Sequence, residues 1–371
     1  MKKVLIAPHK YVQGPDLFSE IGELLKPLGN RPFFVWDSLV QGMVKEAIFF
    51  SCRAAGMDPL DAVFPGEAMK AEAERLAVVA REAGADIAVG VGGGKTLDVA
   101  KAIAAWNRIG MVTAPTLAST DSPTSAESVW YNEQGDCMGW DCWSHNPDMV
   151  IVDTRVIVCA PVRTFVAGIG DALATWLEAE AAYKCRATAI SGGVPTLAAM
   201  AMARLCFDTV LEHGVAAKRA AENRVVVPAF EKVVEANTLL SGIGFESGGV
   251  ATAHAIANAL PSLAECHHLY HGEKVGFGIV TQLCLDDEMD SDEMAAIVDF
   301  EVAIGLPVTF TEMGLDGIPL GQLREKLRLV ADAAAADGSI AHNHPFPVTA
   351  ETLLDAMLAA DAFGRSRKCE E

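Results

Sequence analysis

Histidine is concentrated in one short stretch of this chain. Four of the nine histidines fall within residues 254–271: His254, His267, His268 and His271. Far upstream, Asp171 follows Gly168-Ile169-Gly170 and opens an apolar helical pattern. One carboxylate and two imidazoles that leave a coordination position open are the ligands of a catalytic Zn²⁺. The residue types therefore predict a metal site.

Each of these residues also has a purely structural interpretation. A single histidine on an apolar face, as at His254, is more often a hydrogen-bonded core residue. Asp171 could cap its helix. His267 and His271 have the i,i+4 spacing of two ligands, but that spacing would also suit a polar helix face. Spacing alone does not decide among the three histidines at 267, 268 and 271.

A glycine-rich turn lies between a strand pattern at residues 87–91 and a helical pattern at residues 96–106. It contains Gly92-Gly93-Gly94 followed by Lys95. Glycines let a phosphate approach the backbone, and a helix N-terminus supplies free N–H groups, so a pyrophosphate fits here. Val89 excludes a Walker A loop, and Lys95 and Leu97 exclude a G-x-G-x-x-G motif. A tight turn without a ligand is the alternative.

Two further segments follow predicted strands. Asp37 comes directly after the apolar run at residues 33–36, where a carboxylate can bind a ribose diol and would repel the 2′-phosphate of NADP. A helix cap is an equally good interpretation of Asp37. The segment 114–125 is rich in hydroxyl groups and carries Asp121. At the carboxyl edge of a sheet, this segment could hold the hydroxyl groups of a substrate.

The composition restricts the possible functions. The chain has 371 residues, 51% of them hydrophobic, and a formal net charge of −20. Such a charge disfavours binding to nucleic acid or to an anionic membrane surface. Nine scattered cysteines without a C-x-x-C pair support neither a zinc ribbon nor a disulfide framework. No apolar run approaches the ~20 residues of a membrane span, so we expect a cytoplasmic protein.

The periodicity of the sequence changes near Pro161. Before it, strand patterns at residues 4–7, 32–36, 87–91, 111–114 and 149–152 alternate with helical patterns, which predicts a parallel sheet covered by helices. After it, helical patterns dominate. We therefore expect an α/β dinucleotide-binding domain over residues 1–160 and an all-α metal-binding domain over residues 161–371. A ligand would bind in the crevice between them.

At these residues the chain resembles the glycerol dehydrogenase branch of the iron-containing alcohol dehydrogenase superfamily. The resemblance runs from Lys10 to the C-terminal helices. It rests on five ordered blocks, Gly92-Gly93-Gly94-Lys95-Thr96-Leu97-Asp98, Ala118-Ser119-Thr120-Asp121, Gly168-Ile169-Gly170-Asp171-Ala172-Leu173-Ala174-Thr175-Trp176, Gly244-Phe245-Glu246-Ser247-Gly248-Gly249 and His271-Gly272-Glu273-Lys274-Val275.

The resemblance implies a dehydroquinate synthase-like fold and an NAD-dependent, reversible oxidation of glycerol or a related vicinal diol. It implies that Asp171, His254 and His271 bind the metal, Zn²⁺ or alternatively Fe²⁺ or Mn²⁺, and that Asp121 contacts the substrate. His267 and His268 become cleft or supporting residues, and the chain is expected to form a homo-oligomer. The residues implied around NAD are Asp37, Gly93, Gly94, Lys95, Asp98, Thr116, Ser119, Ser125 and Tyr131.

Some residues depart from the family pattern. Glu127 stands where an aliphatic residue is common, Ser122 where alanine is common, and His344 lies in an unusually histidine-rich loop. These departures leave another C3 alcohol or an aminoalcohol open as the substrate. A phosphate-eliminating cyclase with the same architecture is a further alternative, but it needs basic residues for the phosphate, and Lys274 is the main one near the metal segments.

Overall fold

The structure is a computed structural model that describes residues 1–133, 135 and 137–368. The last residues of the expected second domain, 369–371, lie outside the described range. The first part of the chain alternates strands and helices. The elements are β1 (Tyr11–Gly14), α1 (Ile21–Leu25), β2 (Pro32–Trp36), α2 (Ser38–Ala54), β3 (Leu60–Val63), α3 (Lys70–Glu82), β4 (Ile87–Gly92), α4 (Gly94–Asn107), β5 (Gly110–Pro115), β6 (Glu127–Tyr131), β7 (Cys137–Cys142), β8 (Met149–Asp153) and α5 (Thr154–Ile157).

The prediction of a strand at residues 4–7 is wrong. Among the described residues, the first strand is β1, and near the N-terminus only an isolated bridge joins Lys3 to Val194. The segment lies against the helical half of the molecule, where Ile6 N donates to Ser247 Oγ at 3.0 Å. A side chain thus satisfies backbone groups that a neighbouring strand would otherwise pair. The strands β1 and β3 and the hairpin β6–β7 were not predicted.

Six parallel strands form one sheet in the order β1-β8-β5-β4-β2-β3, as predicted for this half. Trp36 pairs with Val91, and Gly92 pairs with Pro115. The residues that follow β2, β4 and β5 therefore lie side by side at the carboxyl edge. From β2 the chain moves outward to β3, and from β4 it moves the other way to β5, so the strand order reverses between β2 and β4. Sheets of this kind bind ligands at such a point.

Both faces of the sheet are covered by helices, because its strands are apolar on both sides. Phe34 and Trp36 pack on one face with α1 and α2, whereas Phe33 and Val35 pack on the other with α3 and α4. Gly90 permits the close contact of β4 with α4, since a Cβ there would lie 2.8 Å from Ala100 Cβ. This contact fixes where α4 begins, at the glycine-rich turn.

Helices dominate the rest of the described chain, in which no strand follows β8. They are α6 (Val162–Cys185), α7 (Leu197–Glu222), α8 (Pro228–Glu235), a π-helical turn (Ala236–Leu240), α9 (Ser241–Gly248), α10 (Thr252–Ala259), α11 (His271–Leu283), α12 (Ser291–Ile304), α13 (Leu320–Ala334) and α14 (Ala350–Lys368). Within the described residues, none of these helices is long and apolar enough to cross a bilayer.

The helical part packs directly against the sheet. Val150 and Val152 of β8 share one buried cluster with Phe165 and Ile169 of α6. This packing holds α6 beside the loop that follows β5. The change from sheet to helices falls at residues 158–161, between α5 and α6, and a domain boundary at that point stays a prediction.

Candidate metal centre and nucleotide cleft

Three potential metal ligands from three helices meet at one point. Asp171 of α6, His254 of α10 and His271 at the start of α11 place one ligand atom each within 4.8 Å of the others. The Nε2 atoms of His254 and His271 lie 3.3 and 3.4 Å from Asp171 Oδ1. Ligands bound tetrahedrally at about 2.0–2.1 Å would be separated by roughly 3.3 Å. The spacing therefore fits a divalent cation.

The environment of Asp171 also fits a cation. Its side chain is 1% exposed, and among the described residues neither carboxylate oxygen has a hydrogen-bond partner. Burial by itself raises the pKa of this carboxyl, but His271 and His254 outweigh that effect and hold the pKa well below its usual value. Burial lowers the pKa of His254, and the carboxylates of Glu178 and Asp171 raise it well above its ordinary value. The negative charge of these carboxylates, which favours a proton on His254, would also attract a metal cation.

Glycine brings the ligand-bearing helices together. A Cβ at Gly272 would lie 1.7 Å from the carbonyl oxygen of Ala167, and one at Gly170 would lie 2.4 Å from the carbonyl oxygen of Gly272. Only glycine permits this backbone contact between α6 and the first turn of α11. The contact places His271 beside Asp171. The glycines next to both ligands are thus part of the site.

The sequence analysis missed Glu178. It lies seven residues after Asp171, which places both carboxylates on one face of α6. Glu178 is fully buried, and its Oε2 is hydrogen-bonded to His254 Nδ1. The two-turn spacing of acids in an apolar helix is the signal that could have identified it. Carboxylates commonly orient metal-binding histidines in this way.

The neighbouring histidines do not join the group. His267 and His268 are exposed, and their rings bind the carbonyl oxygens of Pro261 and Glu265 at 2.7 and 2.8 Å. Both contacts stay within the segment that precedes α11. Tertiary geometry thus separates His271 from the two residues that the sequence left as alternatives.

The expected nucleotide contacts line the carboxyl edge of the sheet. Asp37 follows β2 and caps α2, with its Oδ1 accepting from Val40 N at 2.8 Å. Gly93 is the N-cap of α4, and Gly94 is its first residue. Thr116 N donates to Gly92 O at 3.0 Å, which ties the segment after β5 to the glycine-rich turn.

Lys95 and Tyr131 lie together beside this edge. Lys95 Nζ is 4.7 Å from the centre of the Tyr131 ring and is hydrogen-bonded to Glu67. The hairpin β6–β7 thus reaches the start of α4. Ser119 is half-buried in the segment after β5.

Asp98 and Ser125 form hydrogen bonds with other residues of the protein. Asp98 Oδ1 accepts from Ser122 Oγ, and its Oδ2 accepts from Val129 N, at 2.8 and 3.1 Å. The fully buried Lys101 donates to Ser125 Oγ and to the carbonyl oxygen of Ser122, at 3.2 and 3.0 Å. Through these contacts, Asp98 and Lys101 of α4 hold the hydroxyl-rich loop in place. Cofactor contacts by Asp98 and Ser125 stay predictions, and their hydrogen bonds indicate a supporting role.

The π-helical turn holds the other side of the same loop. Asn237 Nδ2 donates to Ala118 O, and Thr124 Oγ1 donates to Thr238 O, at 3.0 and 2.9 Å. Ser241 Oγ donates to Asp121 Oδ2 at 2.9 Å. Burial and the charge of Asp171 raise the pKa of Asp121 well above its usual value. Asp121 therefore lies within electrostatic range of two of the metal-ligand candidates, Asp171 and His254.

Glu127 and Glu246 add negative charge near this loop. Glu127 begins β6, and its carboxylate accepts from Cys142 Sγ at 3.4 Å. Glu246 of α9 accepts from Ala126 N at 2.7 Å and also from Asn146. Burial raises the pKa of Glu246 to about 7, although these hydrogen bonds partly oppose it. Glu246 thereby connects the helical half to the first residues of the hairpin.

Comparison with known proteins gives consistent matches along the chain. The iron-containing alcohol dehydrogenase family matches residues 8–154. The glycerol dehydrogenase of Citrobacter freundii is 46% identical over 98% of this chain and 99% of that protein. The glycolaldehyde reductase of Halobacterium salinarum is 43% identical, with coverage of 98% and 99%. The crystal structure of glycerol dehydrogenase from Schizosaccharomyces pombe superimposes with a TM-score of 0.95 at 34% identity, covering 100% of this chain and 93% of that one.

The burial of Glu246 predicts a pH-dependent stability. Its folded pKa of about 7 exceeds that of an unfolded glutamate, so the folded state binds the proton more tightly. Its contribution to stability is complete at low pH and is lost as pH rises from about 4.3 to 7, at most about 3 kcal/mol. We expect Glu246→Gln to flatten this decline, measured by urea unfolding at pH 5 and 7.5. The exposed Glu133→Gln should leave it unchanged, and an equal decline in all three proteins would contradict the assignment.

Proposed function

The chain belongs to the iron-containing alcohol dehydrogenase family, and we propose that it oxidises glycerol or a closely related vicinal diol to the hydroxyketone, reversibly, with NAD and a bound divalent metal. The observation that carries the proposal is the convergence of Asp171, His254 and His271 beside Asp121. The names of the relatives agree with it, since they include glycerol dehydrogenases similar over nearly the whole chain.

Asp171, His254 and His271 would hold the metal. A divalent cation bound there supplies a Lewis acid that lowers the pKa of the substrate hydroxyl and stabilises negative charge on its oxygen. Two imidazoles and one carboxylate suit Zn²⁺ and leave a position for the substrate, while Fe²⁺ and Mn²⁺ stay alternatives. The burial of Asp171 excludes water from one side of the site.

Asp37, Gly93, Gly94 and Thr116 would bind the dinucleotide, whose nicotinamide ring is the hydride acceptor. The glycine at position 94 supports this role. A Cβ there would meet only ordinary contacts, the nearest at 3.5 Å from Thr120 Oγ1. Packing inside the protein does not demand glycine at this position, whereas the close approach of a pyrophosphate would.

Asp121 would bind a substrate hydroxyl that is not being oxidised. Ser241 occupies one of its oxygens, which leaves the other for the ligand. A divalent cation bound nearby would favour the ionised form of Asp121, whose charge would then repel carboxylates and phosphates. That repulsion also argues against the phosphate-eliminating cyclase, whose substrate is anionic.

An aminoalcohol is a second candidate substrate, favoured by the contacts of Glu127. Burial raises the pKa of both Asp121 and Glu127, and the charge of Glu127 raises the pKa of Asp121 further. Among the described residues, no lysine or arginine forms an ion pair with Glu127. A substrate ammonium group would relieve the repulsion. Homo-oligomer formation, which the family resemblance implies, and a cytoplasmic location, which the sequence pattern implies, stay predictions.

The metal ligands give the first prediction for this function. Chelation should abolish NAD reduction with glycerol, and added Zn²⁺ should restore it. His271→Ala should lose both bound metal, measured by elemental analysis, and turnover. His267→Ala should keep both, because that ring binds the Pro261 carbonyl oxygen. Full activity of a metal-free preparation would refute the metal assignment.

The position of Asp37 predicts the cofactor preference. NAD should be preferred over NADP by at least ~10-fold in kcat/KM, about 1.4 kcal/mol. Asp37→Ser should narrow this gap, because serine can still cap α2 but carries no charge. Equal use of both cofactors by the unmodified protein would contradict a ribose contact at Asp37.

The charges of Asp121 and Glu127 predict the ranking of substrates. Asp121→Asn should lower kcat/KM for diols by roughly 1–3 kcal/mol and leave the affinity for NAD nearly unchanged. Glu127→Gln should lower the ratio of kcat/KM for 1-amino-2-propanol to that for 1,2-propanediol by roughly 5-fold, equivalent to about 1 kcal/mol. Glu133→Gln, an exposed change on the same hairpin, should leave the ratio unchanged. A ratio that Glu127→Gln leaves intact would remove the aminoalcohol proposal.

A further inference from the structure

The fully buried carboxylate of Glu178 is the acceptor of three N–H groups. Its Oε1 accepts from the backbone N–H groups of Ala251 and His254 at 2.9 and 2.8 Å, and its Oε2 is hydrogen-bonded to His254 Nδ1. The two backbone donors belong to the first turn of α10, whose N-cap residue Ala251 offers no side-chain acceptor. Glu178 therefore caps α10 from another helix while holding the ring of His254.

We infer that Glu178 is a positioning residue that sets the tautomer of His254 required for metal binding, an inference that rests on the proposed metal-dependent function. In a neutral imidazole only one nitrogen carries the proton. An acceptor at Nδ1 keeps the proton there, so that the nitrogen left to give up its proton and offer a lone pair to a cation is Nε2, which lies 3.3 Å from Asp171 Oδ1. The ring is then ready to bind a cation without first exchanging a proton between its nitrogens.

This arrangement needs a side chain whose two terminal atoms, the positions of Oε1 and Oε2, both accept hydrogen bonds. Glutamine would have to turn its amide group toward one of the three donors. If the NH₂ group faces the His254 ring at Nδ1, the ring proton is favoured on Nε2, and this nitrogen then cannot bind the metal. With its NH₂ facing Ala251 and the His254 backbone, α10 loses its cap. Aspartate, although shorter, remains an acceptor at both oxygens.

The three N–H donors also compensate the burial of the Glu178 carboxylate. Hydrogen bonds to an ionised acceptor are stronger than those between neutral groups. The N-terminus of α10 and the polarised imidazole both favour negative charge at Glu178. The arrangement couples the start of α10 to the orientation of the His254 ring, so that one carboxylate fixes both.

The test compares Glu178→Gln, Glu178→Asp and the matched control Glu180→Gln, a partly exposed residue on the same helix that pairs with Lys184. Metal-free proteins are titrated with Zn²⁺ against a chromophoric chelator, and with Co²⁺ while the visible spectrum is recorded. Glu178→Gln should weaken Zn²⁺ binding by roughly 10–100-fold and change the Co²⁺ spectrum. Glu178→Asp should weaken it less, and the control should match the unmodified protein.

The outcomes separate this inference from the proposed function. If the unmodified protein binds no metal, the proposed function fails. If it binds Zn²⁺ and Glu178→Gln binds equally well, only the role of Glu178 fails. Equal losses in the glutamine and aspartate variants would also overturn it, since acceptor chemistry would not matter. Should the glutamine variant not fold, histidine ¹⁵N spectra of the Zn²⁺-loaded unmodified protein decide, because a His254 ring without a proton on Nδ1 overturns the inference.

Discussion

A carboxylate that is removed from water and given no hydrogen-bond donor destabilises a fold unless a positive charge compensates it. Asp171 is in this position: it is buried, and within the described part of the chain its oxygens meet only the two imidazoles of His254 and His271. The helices α6, α10 and α11 must therefore meet with their ligand atoms facing one another. Much of the helical half can be understood as the packing that keeps them there.

Helix α6 is the element on which this packing depends. It carries Asp171, the glycines that let α11 and the loop after β5 come close, and Glu178 two turns further along. A Cβ at Gly168 would lie 1.9 Å from the carbonyl oxygen of Ala118. The helix that carries the metal-ligand candidate Asp171 therefore also sets the distance of that residue from the sheet. The proposed contacts to metal, substrate and nucleotide would thus be linked through one helix.

The loop that follows β5 joins the two halves of the site. Lys101 holds it from the sheet side, and the π-helical turn with Ser241 holds it from the helical side. Irregular helical turns of this kind are frequent at functional sites. Because both sides contribute, Asp121 cannot move without disturbing the nucleotide edge or the metal centre. Under the proposed function, such bracing would hold a bound substrate in the geometry in which a hydride can be transferred.

The sequence by itself determined the elements and the chemical types. Apolar runs such as residues 32–36 and 149–152 predicted buried strands of a covered parallel sheet, and the glycine-rich turn after residue 91 predicted the start of a helix packed on it. The residue types of Asp171 and His254 indicated metal binding through their chemistry alone. Local pattern was sufficient for these features because they depend on neighbours a few residues away.

Tertiary structure decided which residues act together. Periodicity could not separate His271 from His267 and His268, because their difference lies in the contact of α11 with α6, about a hundred residues distant in the chain. It could not show that Asp98 is directed into the protein, nor that Glu178 holds His254. The segment at residues 4–7 has the composition of a strand, but its backbone is satisfied by the helical half instead. Long-range contacts, which no local pattern encodes, determine each of these outcomes.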